Sequence, residues 1–210
     1  MKLEVKNVTK EFKKIPVLKN INMSFESGKI YGLIGRNGSG KTVLLKMLCG
    51  FYYPSEGEIL LDGENYIEKY TFLQDCGALI ENPSFISDLT GYENLEMLAS
   101  IQRKIGKKEI LDTIEKVNLS ADKDKKYSKY SLGMKQKLGV AQAIMENPKI
   151  IILDEPFNGI ENETATKLRN ILLEEKKKNK IIILASHIKE DITNLADVVY
   201  EFDDGNVKKI

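Results

Sequence analysis

Asp154 and Glu155 stand side by side behind four apolar residues, Ile150–Leu153. So short an apolar run reads as a buried strand. It delivers both carboxylates to a C-terminal sheet edge, where open α/β sheets bind ligands. There Asp154 suits a Mg²⁺ contact, directly or through water. Glu155 suits the activation of an attacking water, whose proton a carboxylate can accept. Taken alone, an Asp-Glu pair before Pro156 is equally a surface turn. The segment Gly35–Thr42 changes that balance, because GRNGSGKT matches every position of the phosphate-loop pattern G-x-x-x-x-G-K-[ST]. Gly35, Gly38 and Gly40 let the backbone curl, so that N–H groups of a loop also holding Arg36, Asn37 and Ser39 point at phosphate oxygens. Lys41 is placed to reach the β- and γ-phosphates, and the Thr42 hydroxyl suits a Mg²⁺ ligand. The expected chemistry is binding of a nucleoside triphosphate with its metal.

These groups need elements to hold them. Ile30–Ile34 is a short apolar run entering the glycine loop, and Lys41–Leu48 continues as a helix, which supplies the strand–loop–helix context the motif requires. Residues 3–8 and 19–25 alternate or carry β-branched side chains and read as antiparallel strands. Glu58–Leu61 reads as a strand closed by the turn Asp62-Gly63. Thr90-Gly-Tyr-Glu93 is a capping box ahead of a helix through Leu95, Leu98 and Ala99. Ile110, Leu111, Ile114 and Val117 mark a second helix with one apolar face. Ser131 and Gly133 open a further helix, which leads to the strand before the carboxylates. From Ile150 the pattern runs strand, helix (Leu168, Ile171, Leu172), strand (Ile181–Ala185), helix, strand. That alternation predicts a largely parallel sheet with helices on its faces.

Composition removes several function classes. With 32 basic against 31 acidic residues the formal charge is +1, without the basic excess of a nucleic-acid binder. No apolar run exceeds about five residues, where a membrane helix needs ~18 or more. The opening MKLEVKNV alternates like a strand and lacks the apolar stretch of a secretory signal. Cys49 and Cys76 have no metal or redox spacing and read as two reduced thiols of a cytoplasmic protein. The lysine-rich stretch Lys176–Lys180 reads as a solvated helix end, with cations favoured by the helix dipole.

Phosphate loop, Ser131–Gly133 turn, paired carboxylates and the lone histidine His187 together resemble the ATP-binding subunit of an ABC transporter, over essentially the whole chain. The resemblance implies a single domain, 1–210, built as an α/β P-loop NTPase core with a mostly parallel sheet. It adds an N-terminal antiparallel β subdomain and an inserted helical subdomain at approximately 82–145. It implies ATP and Mg²⁺ as cofactors. His187, just past a strand-like run, matches the switch histidine that contacts the γ-phosphate and helps hold the attacking water. Ser131 and Gly133 keep the phosphate-facing positions of the signature turn, usually Leu-Ser-Gly-Gly-Gln, while Leu132 and Met134 depart from it. In this family the signature acts on ATP held by another subunit, so a head-to-tail dimer, of this chain or with a second ATPase, is implied. Ser131 is also a good helix cap, and the two roles are compatible. Phe12 stands where an aromatic residue stacks on adenine; a core phenylalanine near a strand end is the alternative. Glu161 stands where aspartate is usual. Glu81 stands where the family has a glutamine that senses Mg²⁺ and the γ-phosphate and couples the site to the membrane subunit.

GALIENPSF, LTGYENL and YSLGMKQKLG look most like the branch associated with bacitracin-type and lantibiotic export or self-immunity. The expectation is therefore an ATPase subunit at the cytoplasmic face of the membrane, peripheral through a separate membrane-spanning permease, and working in export. A soluble ABC ATPase of repair, translation or cofactor assembly is the rival. Repair members need a long coiled coil between the motifs and translation members usually carry two cassettes, and neither feature fits this chain. A sensor that binds ATP without turnover is disfavoured by Glu155 and His187.

Overall fold

In the computed structural model, which describes residues 1–210, the alternating N-terminal segments are the strands β1 (Lys2–Phe12) and β2 (Ile15–Glu26), paired antiparallel. Lys13 and Lys14 form the two-residue hairpin between them, both with positive φ, as the twist of such a hairpin demands. Next come β3 (Lys29–Gly35), α1 (Lys41–Cys49), β4 (Glu56–Leu61) and β5 (Glu64–Asn65). After the short helix α2 (Tyr66–Tyr70) and β6 (Cys76–Leu79) follow three helices, α3 (Gly91–Gln102), α4 (Lys107–Lys116) and α5 (Leu132–Ile144). The chain closes with β7 (Ile150–Asp154), α6 (Asn162–Lys177), β8 (Ile181–Ser186), α7 (Lys189–Thr193), β9 (Val198–Asp203) and β10 (Asn206–Lys209). β10 adds a strand to the expected order, its turn written in Asp204-Gly205, both with positive φ.

Two sheets result. One is antiparallel, in the order β2-β1-β4-β5; the other runs β10-β9-β3-β8-β7-β6, parallel except for β10. The mixed α/β architecture expected from the sequence is the one observed. The apolar runs of the central strands follow from burial on both faces. Ile30, Ile34, Ile151, Leu153, Ile182 and Leu184 face the core shared with α3 to α7. Their alternates Tyr31, Leu33, Ile150, Ile152, Ile181 and Ile183 face α1 and the antiparallel sheet.

The register of the parallel strands places the site. Ile34 pairs with Ser186, Ala185 with Asp154 and Leu153 with Leu79, so the segments leaving β3, β6, β7 and β8 emerge along one edge. On the β6 side the path is held by α3. Thr90 and Glu93 complete the expected capping box, with hydrogen bonds of 3.1 and 2.7 Å. The fully buried Asn94 bonds to the backbone of Ile86, Leu89 and Thr90.

The lysine-rich segment departs from expectation. Lys180 is buried and pairs with the equally buried Glu175, and Lys176 pairs with Asp197. Only part of the stretch is a solvated helix end, because β8 begins at once after Lys180 and draws it under the sheet. Cys49 and Cys76 are both free thiols. The neighbouring Cys49 side chain and burial push the Cys76 thiol well above the ordinary cysteine range, which keeps it protonated.

Candidate functional site

The loop between β3 and α1 opens a cleft of about 490 Å³. Two glycines make its shape possible. Gly38, at φ +82, turns the loop tip, and Gly40, at φ +106, starts α1 where a Cβ would come within 2.6 Å of Leu18. Lys41 is 5% exposed and its Nζ donates to the carbonyls of Gly35 (2.6 Å) and Arg36 (3.1 Å). Burial lowers its affinity for the proton, and Glu155 and Asp154 work in the opposite direction. The Ser39 hydroxyl is 8% exposed and has no hydrogen-bond partner. An orphaned buried hydroxyl costs about 1–3 kcal/mol, which an oxygen-rich ligand in the cleft would recover.

Thr42 Oγ1 donates to Asp154 Oδ2 at 2.7 Å. Asp154 is nearly fully buried, and burial raises its pKa above the ordinary aspartate value, with the Thr42 bond opposing. Glu155 follows in the left-handed region, φ +49, a conformation that costs on the order of 1 kcal/mol or more in a residue with a side chain. Four tethers hold it there. Its N–H donates to Ala185 O (2.9 Å) and its carbonyl accepts from Gln136 Nε2 (2.8 Å). Its carboxylate accepts from Ser186 Oγ (3.2 Å) and from the His187 N–H (2.9 Å). His187 Nδ1 lies 2.9 Å from the same carboxylate oxygen. A strained residue fixed by independent groups, with its carboxylate at a cleft, is suited to positioning and deprotonating a water.

The structure does not gather every candidate in one place. Asn37, Gly38, Ser39, Gly40, Lys41, Thr42, Glu81, Asp154 and Glu155 line the cleft, while Gly35 and Arg36 act behind it through their carbonyls. Phe12 is partly exposed at the end of β1 rather than in the core, its ring edge-on to Tyr52 at 5.3 Å. Ser131 and Gly133 lie on a neighbouring open cleft with Gly159 and Thr164, and Leu132 between them borders both clefts. Ser131 Oγ caps α5 by accepting from the Met134 N–H at 3.3 Å. Glu81 has turned its side chain to Lys46, with Nζ to Oε1 at 2.6 Å. No group of three or more His, Cys, Asp or Glu side chains is assembled to hold a metal. Thr42 and Asp154 present two oxygens that could hold Mg²⁺, a cation that takes one or two protein ligands and otherwise keeps waters and substrate phosphates.

Gln136 and Lys46 were missed by sequence reasoning. Gln136 shares a helix face with Val140 and Ala143, all buried. A polar residue on that apolar stripe was the available signal.

A family model described as ABC transporter matches residues 18–158. The chain is 44% identical over 206 residues to the uncharacterised ABC transporter ATP-binding protein YybJ of Bacillus subtilis, covering 98% of this chain and 94% of that one. It is 41% identical to the bacitracin transport ATP-binding protein BcrA of Enterococcus faecalis, covering 98% of this chain and 67% of BcrA. It is 34% identical to the lantibiotic transport ATP-binding protein SrtF of Streptococcus pyogenes, covering 94% and 85%. Among solved structures, one titled as the ATP-binding subunit of an ABC transporter is similar at TM-score 0.88 and 26% identity, covering 100% of this chain and 90% of that one. Phosphate loop, parallel register and these relatives agree: the chain belongs to the ABC transporter family, as one of its ATP-binding, ATP-hydrolysing subunits.

Proposed function

We propose that this subunit uses Mg-ATP to drive export through a separate membrane-spanning permease, with a peptide antibiotic as the class of cargo. The observation that carries the catalytic part is the common sheet edge at which Thr42, Asp154, Glu155 and His187 meet below the phosphate loop. Thr42 and Asp154 would hold Mg²⁺, whose chemistry is to neutralise charge on the phosphate oxygens. Lys41 leaves its two loop carbonyls for the terminal phosphates, and Ser39 and the loop N–H groups bind their oxygens. Phe12 offers its ring to the adenine. Glu155 orients a water and takes its proton, and His187 steadies Glu155 and the γ-phosphate.

Residues 1–210 form one ATP-binding domain, with 82–145 as its helical subdomain. Ser131 and Gly133 act on ATP held by a second subunit, either a copy of this chain or a related ATPase, in a head-to-tail dimer. Their position outside the phosphate-loop cleft supports this. No helix is long and apolar enough to cross a membrane; in this reading a separate permease supplies the path and holds the subunit at the membrane's cytoplasmic face. A groove of about 490 Å³ between β6, α3 and the end of α5, lined by the largely exposed Phe72 and Ile101 together with polar residues such as Asp75, Lys104 and Glu146, offers a mixed apolar and charged seat for a cytoplasmic segment of that partner. The names of BcrA and SrtF support the cargo class.

Glu155→Gln tests the reading. It should bind Mg-ATP near the parental affinity, hydrolyse it at least about 100-fold more slowly, and elute as a dimer with ATP and a monomer without. Parental turnover would remove Glu155 from the mechanism.

A further inference from the structure

Lys46 and Glu81 form an ion pair that the phosphate-loop chemistry does not by itself require. Lys46 lies four residues after Thr42 on α1, hence one turn along the same face. Its Nζ is 2.6 Å from Glu81 Oε1, with the lysine side chain 20% exposed and the glutamate 61%. Glu81 itself is in the left-handed region, φ +59, and its side chain reaches back to α1. The same ammonium sits 5.6 Å over the Tyr52 ring, which stands edge-on to Phe12 at 5.3 Å. Lys46 thus lies between a carboxylate that lines the cleft and the Tyr52–Phe12 pair outside it.

Exposed ion pairs add little to stability, so what matters is where this one puts charge. Asp154, Glu155 and Glu81 all line the cleft, and Lys41 is the only lysine or arginine among its lining residues. A triphosphate entering beside an uncompensated Glu81 would meet repulsion. A lysine is suited to a contact that must be released, because it is a point charge on a flexible stem.

We propose that Lys46 is a positioning residue for nucleotide binding. It cancels the Glu81 charge while the carboxylate is held against α1, and frees that carboxylate to turn toward Thr42 and Asp154 when metal enters. The inference rests on the reading of the cleft as an Mg-ATP site.

Equilibrium binding of ATP, measured in EDTA and across a Mg²⁺ titration, tests it on the full chain and on Lys46→Met, Glu81→Gln and the double variant. Lys46→Met should weaken metal-free ATP binding about five- to tenfold, and need several-fold less Mg²⁺ for half-maximal binding, because the freed carboxylate becomes a ligand. In the Glu81→Gln background the same substitution should change metal-free affinity less than about twofold. Lys46→Arg, which keeps the charge, should hold metal-free affinity within about twofold of the parent. Lys46→Gln gives a second route to the same pattern if the methionine variant does not fold. An equal loss in both backgrounds, or no loss in either, overturns the proposal. Full ATP affinity in Lys41→Ala would instead overturn the reading of the cleft, whatever Lys46 does.

Discussion

Two helix N-termini in this molecule start from the same local device and end as different kinds of site. At α1 a glycine-bearing loop leads into Lys41 and Thr42; at α5 Ser131 and Gly133 do the same. Around α1 the surroundings are complete. Lys41 is buried, the Ser39 hydroxyl waits without a partner, and Asp154 and Glu155 converge from β7. Around α5 they are not. Ser131 satisfies its own helix, Leu132 is largely exposed, and Gly133 faces the backbone of Gly159. A helix N-terminus offers amide donors and a favourable dipole wherever it occurs. The comparison teaches that it becomes a reaction site only where the sheet register brings acids and a cation to meet it. Under the proposed function, the α5 turn would be half of such a site, completed by a second subunit.

The comparison breaks most visibly at Lys41. Lys41→Ala should lower ATP affinity by about 100-fold or more, since it removes the one cation aimed at the terminal phosphates. Isothermal titration would show it, and an unchanged affinity would dissolve the distinction between the two regions. Ser131→Ala should act differently. ATP binding to the isolated chain should stay within about twofold, while steady-state hydrolysis, which in the proposed function needs the assembled pair, should fall about tenfold. The lost cap should cost about 1 kcal/mol of stability. A loss of monomer binding equal to that at Lys41 would place Ser131 in the first region instead of the second.

The smallest effect sharpens the electrostatics. Burial raises the Asp154 pKa in the folded chain. The native state therefore holds that proton more tightly than the unfolded state, and stability falls as pH rises from the ordinary aspartate range through the raised value. Asp154→Asn removes this loss. At neutral pH the nucleotide-free variant should therefore melt at a higher temperature than the parent. Its Mg²⁺-dependent ATP binding should weaken. A melting temperature that falls, or one equally raised at pH 3, would mean that Thr42 and Asp154 form a structural bond rather than a metal position held at a cost.

Local pattern carried much of this molecule. The strand entering the glycine loop, the Thr90 capping box and the apolar face of α4 follow from spacing within a few residues, and all three are present. The run Ile150–Leu153 announced a buried strand for the same reason. The turn into β10 is written in the same local way, in Asp204-Gly205. Lys180 was not legible. Its helical neighbours suggest solvent, yet the start of β8 buries it against Glu175.

What the sequence by itself determined is therefore the inventory: a phosphate loop, two carboxylates behind a strand, a serine-capped helix and the order of the elements. Each rests on torsional preference, capping and apolar period, which act between near neighbours. The tertiary structure alone decided that Gln136 holds the carbonyl of Glu155, that Glu155 is bent into the left-handed region, and that Glu81 meets Lys46. Those partners are 19 and 35 residues apart in the chain. They meet because parallel pairing aligns the ends of β3, β8, β7 and β6 along one edge and packs α1 and α5 beside it. No short window of residues contains that register, which is set by burying both faces of one sheet at once.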